Sequence, residues 1–197
     1  MNISRNCPVC NFSSNTLIYN NKFAPISGIQ LSNMLVECDK CCFYFCDRIP
    51  DEKTYAGYYA NLSKYDVVGA DVNPIDNLRV EAGAKLVNRF VDKSAKVVDI
   101  GCGNSALLGN LKSQGYTKLI GIDPAKNCSA RAKIYGIPDV QCGSIVDFDL
   151  SLVCDADLVL VMAVLEHLVT PKSSIGRLVS GMKLSLIHIS EPTRLGM

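Results

Sequence analysis

The hydrophobic pattern changes character twice along the chain. Over residues 1–50 the apolar positions come in short pieces, such as Asn33 to Glu37 and Cys42 to Cys46, which suit hairpin strands rather than helices. From Pro50 to about Pro74 the chain is polar and tyrosine-rich. Tyr55, Tyr58 and Tyr59 stand at i, i+3 and i+4, a spacing that predicts a short helix with one aromatic face. From Ile75 onward helical and strand periods alternate. Leu78, Ala82, Leu86 and Phe90 keep helical spacing behind Pro74 and Asp76, which suit a helix start. The run from Lys96 to Gly101 is β-branched and ends in glycine, as a buried strand does. Helices are then predicted over Ala106 to Gln114, closed by Gly115, and over Lys126 to Tyr135, closed by Gly136. Strands are predicted over Lys118 to Asp123, Asp139 to Cys142 and Asp157 to Met162, and a last helix over Pro171 to Lys183. Strands alternating with helices through short loops predict an α/β fold with a doubly wound, mostly parallel sheet covered on both faces.

Composition narrows the class. The chain has 197 residues, 48% apolar and 20% charged, enough for a small module and one larger globular domain. Its net charge is +1 with no long run of one sign, which argues against a nucleic-acid groove. The longest apolar run, Leu158 to Leu165, is far short of the roughly 20 residues of a membrane span. The N-terminus lacks the basic and apolar stretches of a secretory leader, so a cytoplasmic location is expected.

Ten cysteines are many for such a protein, and six of them lie in the first 46 residues. Cys7-Pro-Val-Cys10 and Cys38-Asp-Lys-Cys41 are two C-x2-C pairs with 27 residues between them. Each pair presents two thiolates from one tight turn, and two turns complete a tetrahedral four-thiolate site. Soft thiolates in a closed shell select zinc ahead of iron, and a structural role is expected because a segment this short has little core of its own. Cys42 or Cys46 in place of Cys41 is an alternative register. Cys102, Cys128, Cys142 and Cys154 are scattered among apolar neighbours and read as small buried hydrophobes.

The most specific stretch runs from Val97 to Leu108, where a strand enters Gly101-Cys102-Gly103 and a helix opens just beyond. Glycines let a backbone approach a ligand closely, and a helix start offers unpaired N–H groups. Dinucleotide-binding proteins use the same turn, so a nucleotide-dependent oxidoreductase is one reading. Three details count against it. Asp99 precedes the first glycine and suits an ammonium better than a pyrophosphate. Ala106 replaces the third glycine of the dinucleotide fingerprint. Asp123 ends the next strand, 24 residues after Asp99, where a carboxylate accepts ribose hydroxyls.

These residues resemble the class I S-adenosylmethionine (SAM)-dependent methyltransferases. Asp99-Ile-Gly-Cys-Gly103 looks like their first motif, Gly121-Ile-Asp-Pro124 like the acidic motif of the second strand, and Val164-Leu-Glu-His167 like the segment after the fourth. The resemblance implies a Rossmann-like core in which Asp99, Gly101, Cys102 and Gly103 line the methionine part of SAM. It also implies that Asp123, with Pro124 behind it, holds the ribose. The turn at Gly143, Ser144 and Ile145 then flanks the adenine, and Met162 and Ala163 lie under the sulfonium. Family members usually carry an acidic residue near Ser144. Two C-x2-C pairs, the Tyr58 to Tyr65 segment and this core together resemble bacterial enzymes of surface-polysaccharide and deoxysugar synthesis, several of them sugar C-methyltransferases. The implied acceptor is a small molecule, a sugar or sugar nucleotide, with no nucleic-acid partner and no membrane span.

Four regions follow: a zinc-binding module at 1–50, a tyrosine-rich linker or lid at 51–74, the SAM-binding core at 75–183 and a tail at 184–197. A carbon or hydroxyl nucleophile needs a base. His167 and Glu166, at the end of a strand, are the visible candidates, with plain loop support as the other reading. Tyr58, Tyr59 and Tyr65 suit a lid over SAM or packing between domains. The tail segment Leu186 to Arg194 resembles translated sequencing-adapter read-through, so the authentic frame is expected to end near Lys183, leaving four strands where the family has seven and His188 without function. In that state a fifth strand over Leu184 to Ile189 would be accidental pairing, and the truncated chain is expected to keep the SAM half of its site but not much of the substrate half, which would leave it inactive. The competing reading is a zinc-ribbon interaction module attached to an inactive SAM-binding remnant.

Overall fold

The computed structural model describes residues 5–22, 28, 32–61 and 74–183. Residues 62–73 of the linker, with Tyr65, and the tail, with His188 and the Leu184 to Ile189 stretch, lie outside these. The chain forms two compact units, Met1–Gly57 with Leu168–Ser173, and Tyr58–His167 with Ser174–Met197.

In the first unit three strands, β1 (Asn15–Lys22), β2 (Ser32–Cys38) and β3 (Tyr44–Asp47), pair antiparallel in that order. The hairpin expectation for the cysteine-rich segment therefore holds. The register of β1 on β2 shifts between Leu17 and Tyr19, a bulge that turns the edge strand. The buried set is only Cys7, Val36, Cys38 and Phe45, with Cys10 packed against it. A core this small does not hold a sheet by itself. Helix α1 (Glu52–Asn61) follows, its first turn capped by Asp51, whose carboxylate accepts the Thr54 N–H at 2.8 Å.

The second unit carries α2 (Pro74–Phe90), β4 (Lys96–Ile100), α3 (Ala106–Ser113), β5 (Lys118–Asp123), α4 (Cys128–Ala132), β6 (Val140–Cys142), β7 (Leu158–Val161) and α5 (Pro171–Gly181), whose first turn belongs to the other unit. The strands lie in the order β6-β5-β4-β7, all parallel. Val97, Leu119, Leu158 and Leu160 point to one face, where Leu107, Leu108 and Leu111 of α3 cover them. β4 and β7 are buried on both faces, so they read as continuous apolar runs rather than alternating ones. Tyr116 is fully buried and its hydroxyl reaches Asn88 Oδ1 at 3.0 Å and the Val91 carbonyl at 3.1 Å, tying the α3–β5 turn to α2.

Three expectations need correction. The apolar face of α2 is only in part the expected stripe Leu78, Ala82, Leu86 and Phe90: Leu86 packs against the core, but Leu78 and Phe90 are exposed, and Ala84 and Val87 are buried with Val80 packed beside them. Small residues decide this, since the bare face of Gly83 meets the Met162 side chain and Leu107 at 3.2–3.3 Å from where a Cβ would stand. The predicted helix to Tyr135 is α-helical only to Ala132; a 3-10 turn, Lys133–Tyr135, finishes it before left-handed Gly136. Of the scattered cysteines, Cys102 and Cys128 are buried, whereas Cys142 is exposed at a strand end and Cys154 is half-buried.

Candidate functional site

From β4 the chain proceeds to β5 and β6 on one side, then returns to place β7 on the other. Such a reversal opens a crevice at the carboxyl ends of the two central strands, where sheets of this kind bind ligands. Asp99 and Gly101 to Asn104 at the end of β4, Met162 and Ala163 at the end of β7, and Asp76 and Arg79 from α2 line a cleft of about 110 Å³ there. Gly101 has φ 79° and Gly103 φ 55°. A Cβ at Gly101 would stand 2.3 Å from Val164 Cγ2, so both conformation and space demand glycine. Gly121, Asp99's neighbour on β5, lies directly beneath Cys102: a Cβ there would meet its Sγ at 2.7 Å.

Two buried carboxyls define the electrostatics. Asp99 is 4% exposed and accepts no hydrogen bond among the described residues; burial, with Asp123 nearby, pushes its carboxyl up to about 7. Asp123 is buried too, and burial raises it, opposed by two N–H donors and the charge of Arg131. Its oxygens accept the Gly103 N–H at 2.8 Å and the Ala125 N–H at 2.9 Å, so one side chain fixes both the glycine turn and the turn after β5. Cys102 is buried and its thiol is raised well above the ordinary value, first by burial, so it acts as packing rather than as a nucleophile. Pro124 is half-buried, its carbonyl 3.6 Å from Cys142 Sγ. Arg79 pairs with Asp76 at 3.7 Å and supplies the cleft with a cation.

A second cavity lies beside the ends of β5 and β6, lined by Ile122, Gln141, Cys142, Gly143, Asp147, Phe148 and Asp149. Ser144 stands at its margin with its N–H on Asp147 Oδ1 at 2.8 Å, and Ile145 is buried beneath. The nearest acidic side chain to Ser144 along the chain is Asp147, three positions later. Asp147 and Arg79 were missed in the sequence. The Asp147-Phe148-Asp149 run after the glycine turn was the available signal for the first; no pattern in α2 marks the second.

Glu166 and His167 are exposed in a 3-10 turn, Leu165–His167, closed by the His167 N–H on the Val164 carbonyl at 3.0 Å. The His167 ring lies 5.6 Å from the Tyr59 ring, which Tyr58 meets edge-on at 5.2 Å.

In the first unit the sulfurs of Cys7, Cys10, Cys38 and Cys41 all lie within 4.8 Å of one another. Two of the separations are 3.6 Å (Cys7–Cys41) and 3.5 Å (Cys10–Cys38). A tetrahedral ion with sulfur bonds of about 2.3 Å places its sulfurs about 3.8 Å apart, so the donor set fits a metal of that kind. The two turns repeat one geometry. Cys7 N–H bonds the Phe12 carbonyl and Asn11 N–H the Cys7 carbonyl; Cys38 N–H bonds the Phe43 carbonyl and Cys42 N–H the Cys38 carbonyl. Asn11 (φ 61°) and Cys42 (φ 56°) occupy the same left-handed position. Cys42 is therefore the counterpart of Asn11, and Cys41 that of Cys10. Against its burial, the N–H groups of Cys41 and Lys40 bring the Cys38 thiol down to about 7.

A family model described as a methyltransferase domain matches residues 64–192, more than half of the chain. The chain belongs to this methyltransferase family. Its fold and family make it an enzyme of the SAM-dependent methyltransferase class. No curated protein matches it. Among solved structures it is similar to magnesium protoporphyrin IX methyltransferase from Synechocystis PCC 6803 with bound SAM, at 20% identity and a TM-score of 0.55, covering 74% of this chain and 78% of that one. It is also similar to the N-methyltransferase NodS from Bradyrhizobium japonicum WM9 in complex with S-adenosyl-L-homocysteine, at 20% identity and 0.51, covering 69% and 70%. Of a possible histamine N-methyltransferase from Thermotoga maritima, 18% identical with a TM-score of 0.47, it spans 51% while using 58% of its own length. At these identities the likeness is one of fold. No helix among the described residues is long and apolar enough to cross a membrane.

Proposed function

We propose that this methyltransferase binds SAM in the crevice between β4 and β7 and transfers its methyl group to a small acceptor, a sugar or sugar nucleotide. The observation that carries the cofactor assignment is Asp99, a buried carboxylate without a hydrogen bond among the described residues, beside two left-handed glycines. An ammonium group is the partner such a carboxylate lacks, and Arg79, which lines the same cleft, suits the accompanying carboxylate of an amino acid. Gly101, Cys102 and Gly103 would line the chain between them. Asp123 keeps lone pairs for a ribose diol after accepting two N–H bonds. The cavity at Gly143, Asp147 and Phe148, with Ser144 and Ile145 at its edge, suits an adenine. Bound SAM supplies a methyl group already activated on a sulfonium. What the chain contributes is alignment, worth up to roughly 7–11 kcal/mol in well-oriented systems, with Met162 and Ala163 as the wall beside the methyl. Removal of a proton from the acceptor is assigned to His167, with Glu166 beside it, on their place after the end of β7; Tyr59 packs against the His167 ring. The sugar assignment rests on the pairing of a four-cysteine module, a tyrosine segment and this core. Zinc is the ion assigned to Cys7, Cys10, Cys38 and Cys41, on the softness of four thiolates in a closed shell.

Calorimetric titration of SAM, with NAD as control, tests the cofactor. Micromolar SAM binding and none of NAD is expected, and tight NAD binding would overturn the assignment. Transfer of a labelled methyl group to a panel of sugar nucleotides tests the acceptor, and labelling confined to other small molecules would refute it.

A further inference from the structure

Within the second unit, the cavity beside β5 and β6 is walled by a turn that begins at Ser144. The Ser144 carbonyl accepts the Asp147 N–H at 3.0 Å and the Phe148 N–H at 2.9 Å, and the Ser144 N–H bonds Asp147 Oδ1. The turn is thus closed on itself. Two of its other carbonyls meet one side chain from further along the chain, Arg177 of α5. Arg177 Nη1 donates to the Ile145 carbonyl at 3.5 Å and Nη2 to the Phe148 carbonyl. The guanidinium also lies 4.9 Å from the centroid of the Phe148 ring. Phe148 lines the cavity and is buried, its Cβ 3.5 Å from where a Cβ on Gly143 would stand. The helix that carries Arg177 is closely seated: Leu178 is buried, and a Cβ on Gly181 would stand 2.8 Å from Leu150 Cδ2. A planar fork meets two carbonyls of one turn at once, a geometry that a lysine ammonium does not reproduce.

We propose that Arg177 is a positioning residue for this cavity: its fork and its place over the Phe148 ring fix the Ile145–Phe148 wall against which the adenine of SAM lies. The role rests on the adenine reading of the cavity given above. Asp147 stands in sequence between the two held carbonyls, so the same fork keeps its carboxylate at the cavity's edge. Arg177 itself lines neither this cavity nor the cleft at β4 and β7. It acts through the turn, and so it governs affinity for SAM rather than the transfer of the methyl group.

The test compares the zinc-loaded full chain with Arg177→Met, which keeps an unbranched stem and removes the donors, and with Arg177→Lys. In Arg177→Met the amides of residues 144–149 should exchange roughly tenfold faster, with β4 and β5 as in the parent. Calorimetry should show a roughly tenfold loss of affinity for SAM, and the same loss for methylthioadenosine, which keeps the adenine and ribose without the amino acid. Arg177→Lys should fall between the two in both measurements, a graded rescue that lost packing would not give. Unchanged exchange at 144–149 overturns the proposal. So does a rise shared by β4 and β5, or faster exchange with parent-like affinity for both ligands, because Arg177 would then only hold the fold together. A loss for SAM alone overturns it too, since the effect would lie at the amino-acid end. Should Arg177→Met fail to fold, Arg177→Lys carries the same readouts and the same refuting outcomes. Absence of SAM binding in the parent is a distinct result: it overturns the cofactor assignment, and this role with it, before any variant is compared.

Discussion

Replacing Asp99 with asparagine separates what the fold loses from what the cofactor gains. An aspartate whose ordinary value is near 3.8 is held at about 7 in the folded chain, first by burial and then by Asp123. Below about pH 4 the carboxyl is protonated both folded and unfolded and contributes nothing. Between about pH 4 and 7 the unfolded chain ionises and the folded one does not, so stability falls as pH rises, and above about 7 the loss is constant. The full effect is about 4 kcal/mol. Asp99→Asn removes the charge and keeps the shape. It should leave stability at pH 4 nearly unchanged and raise it at pH 8 by roughly 2–4 kcal/mol, because the buried amide also loses some hydration. SAM binding should respond in the opposite direction. A ligand ammonium favours the ionised carboxyl, so near pH 6 binding should release close to one proton, and affinity should rise towards pH 7. In Asp99→Asn the proton release should vanish and affinity fall roughly 10- to 100-fold, the loss of a charge-assisted hydrogen bond. The assays are urea unfolding followed by circular dichroism at the two pH values and calorimetry in buffers of different ionisation enthalpy. Parent-like SAM affinity in Asp99→Asn, or no proton release by the parent at pH 6, would refute the pairing of Asp99 with an ammonium.

Gly101→Ala should destabilise the second unit by about 2–4 kcal/mol, since it forces a side chain into a left-handed backbone and against Val164; denaturant unfolding reads this directly. Cys41→Ser should abolish stoichiometric zinc while Cys42→Ser retains it, measured by metal analysis after dialysis; zinc loss on Cys42→Ser would reverse the register assigned from the paired turns. Tyr116→Phe should cost about 1 kcal/mol by removing the hydroxyl that bonds Asn88 and the Val91 carbonyl, without altering SAM affinity.

Most of the second unit was legible because its signals are local. β4 and β7 are apolar runs whose length and flanks identify buried parallel strands, and Gly101 and Gly103 mark a turn that nothing else suits. The face of α2 was not legible. Leu78 and Val80 both begin acceptable helical stripes, and only contact with Met162 and Leu107 selects the one through Gly83. The thiolate pairs were plain from spacing, yet the choice between Cys41 and Cys42 needed backbone φ values, which spacing does not contain. Asp147 and Arg79 were hidden for a related reason: each reaches its cavity from an element whose own pattern says nothing of a ligand. Within the first unit, the tie from Arg5 Nη1 to the Val169 carbonyl at 2.6 Å spans 164 positions and leaves no trace in any window of sequence.

That same tie makes the first unit discontinuous, and this has a consequence for the order of events on the ribosome. The four cysteines emerge first, but the segment Leu168–Ser173 that completes their unit is made only after β4 to β7. A nascent chain can close the small hairpins around an ion early, because those contacts are short in sequence. Its last backbone partner, the Val169 carbonyl, must wait for nearly the whole sheet to be synthesised. At about 5–20 residues per second that interval is on the order of 10 to 30 seconds. During it the Arg5 guanidinium has no Val169 to bind, so the N-terminal unit, although translated first, cannot reach its final form until most of the second unit has been made.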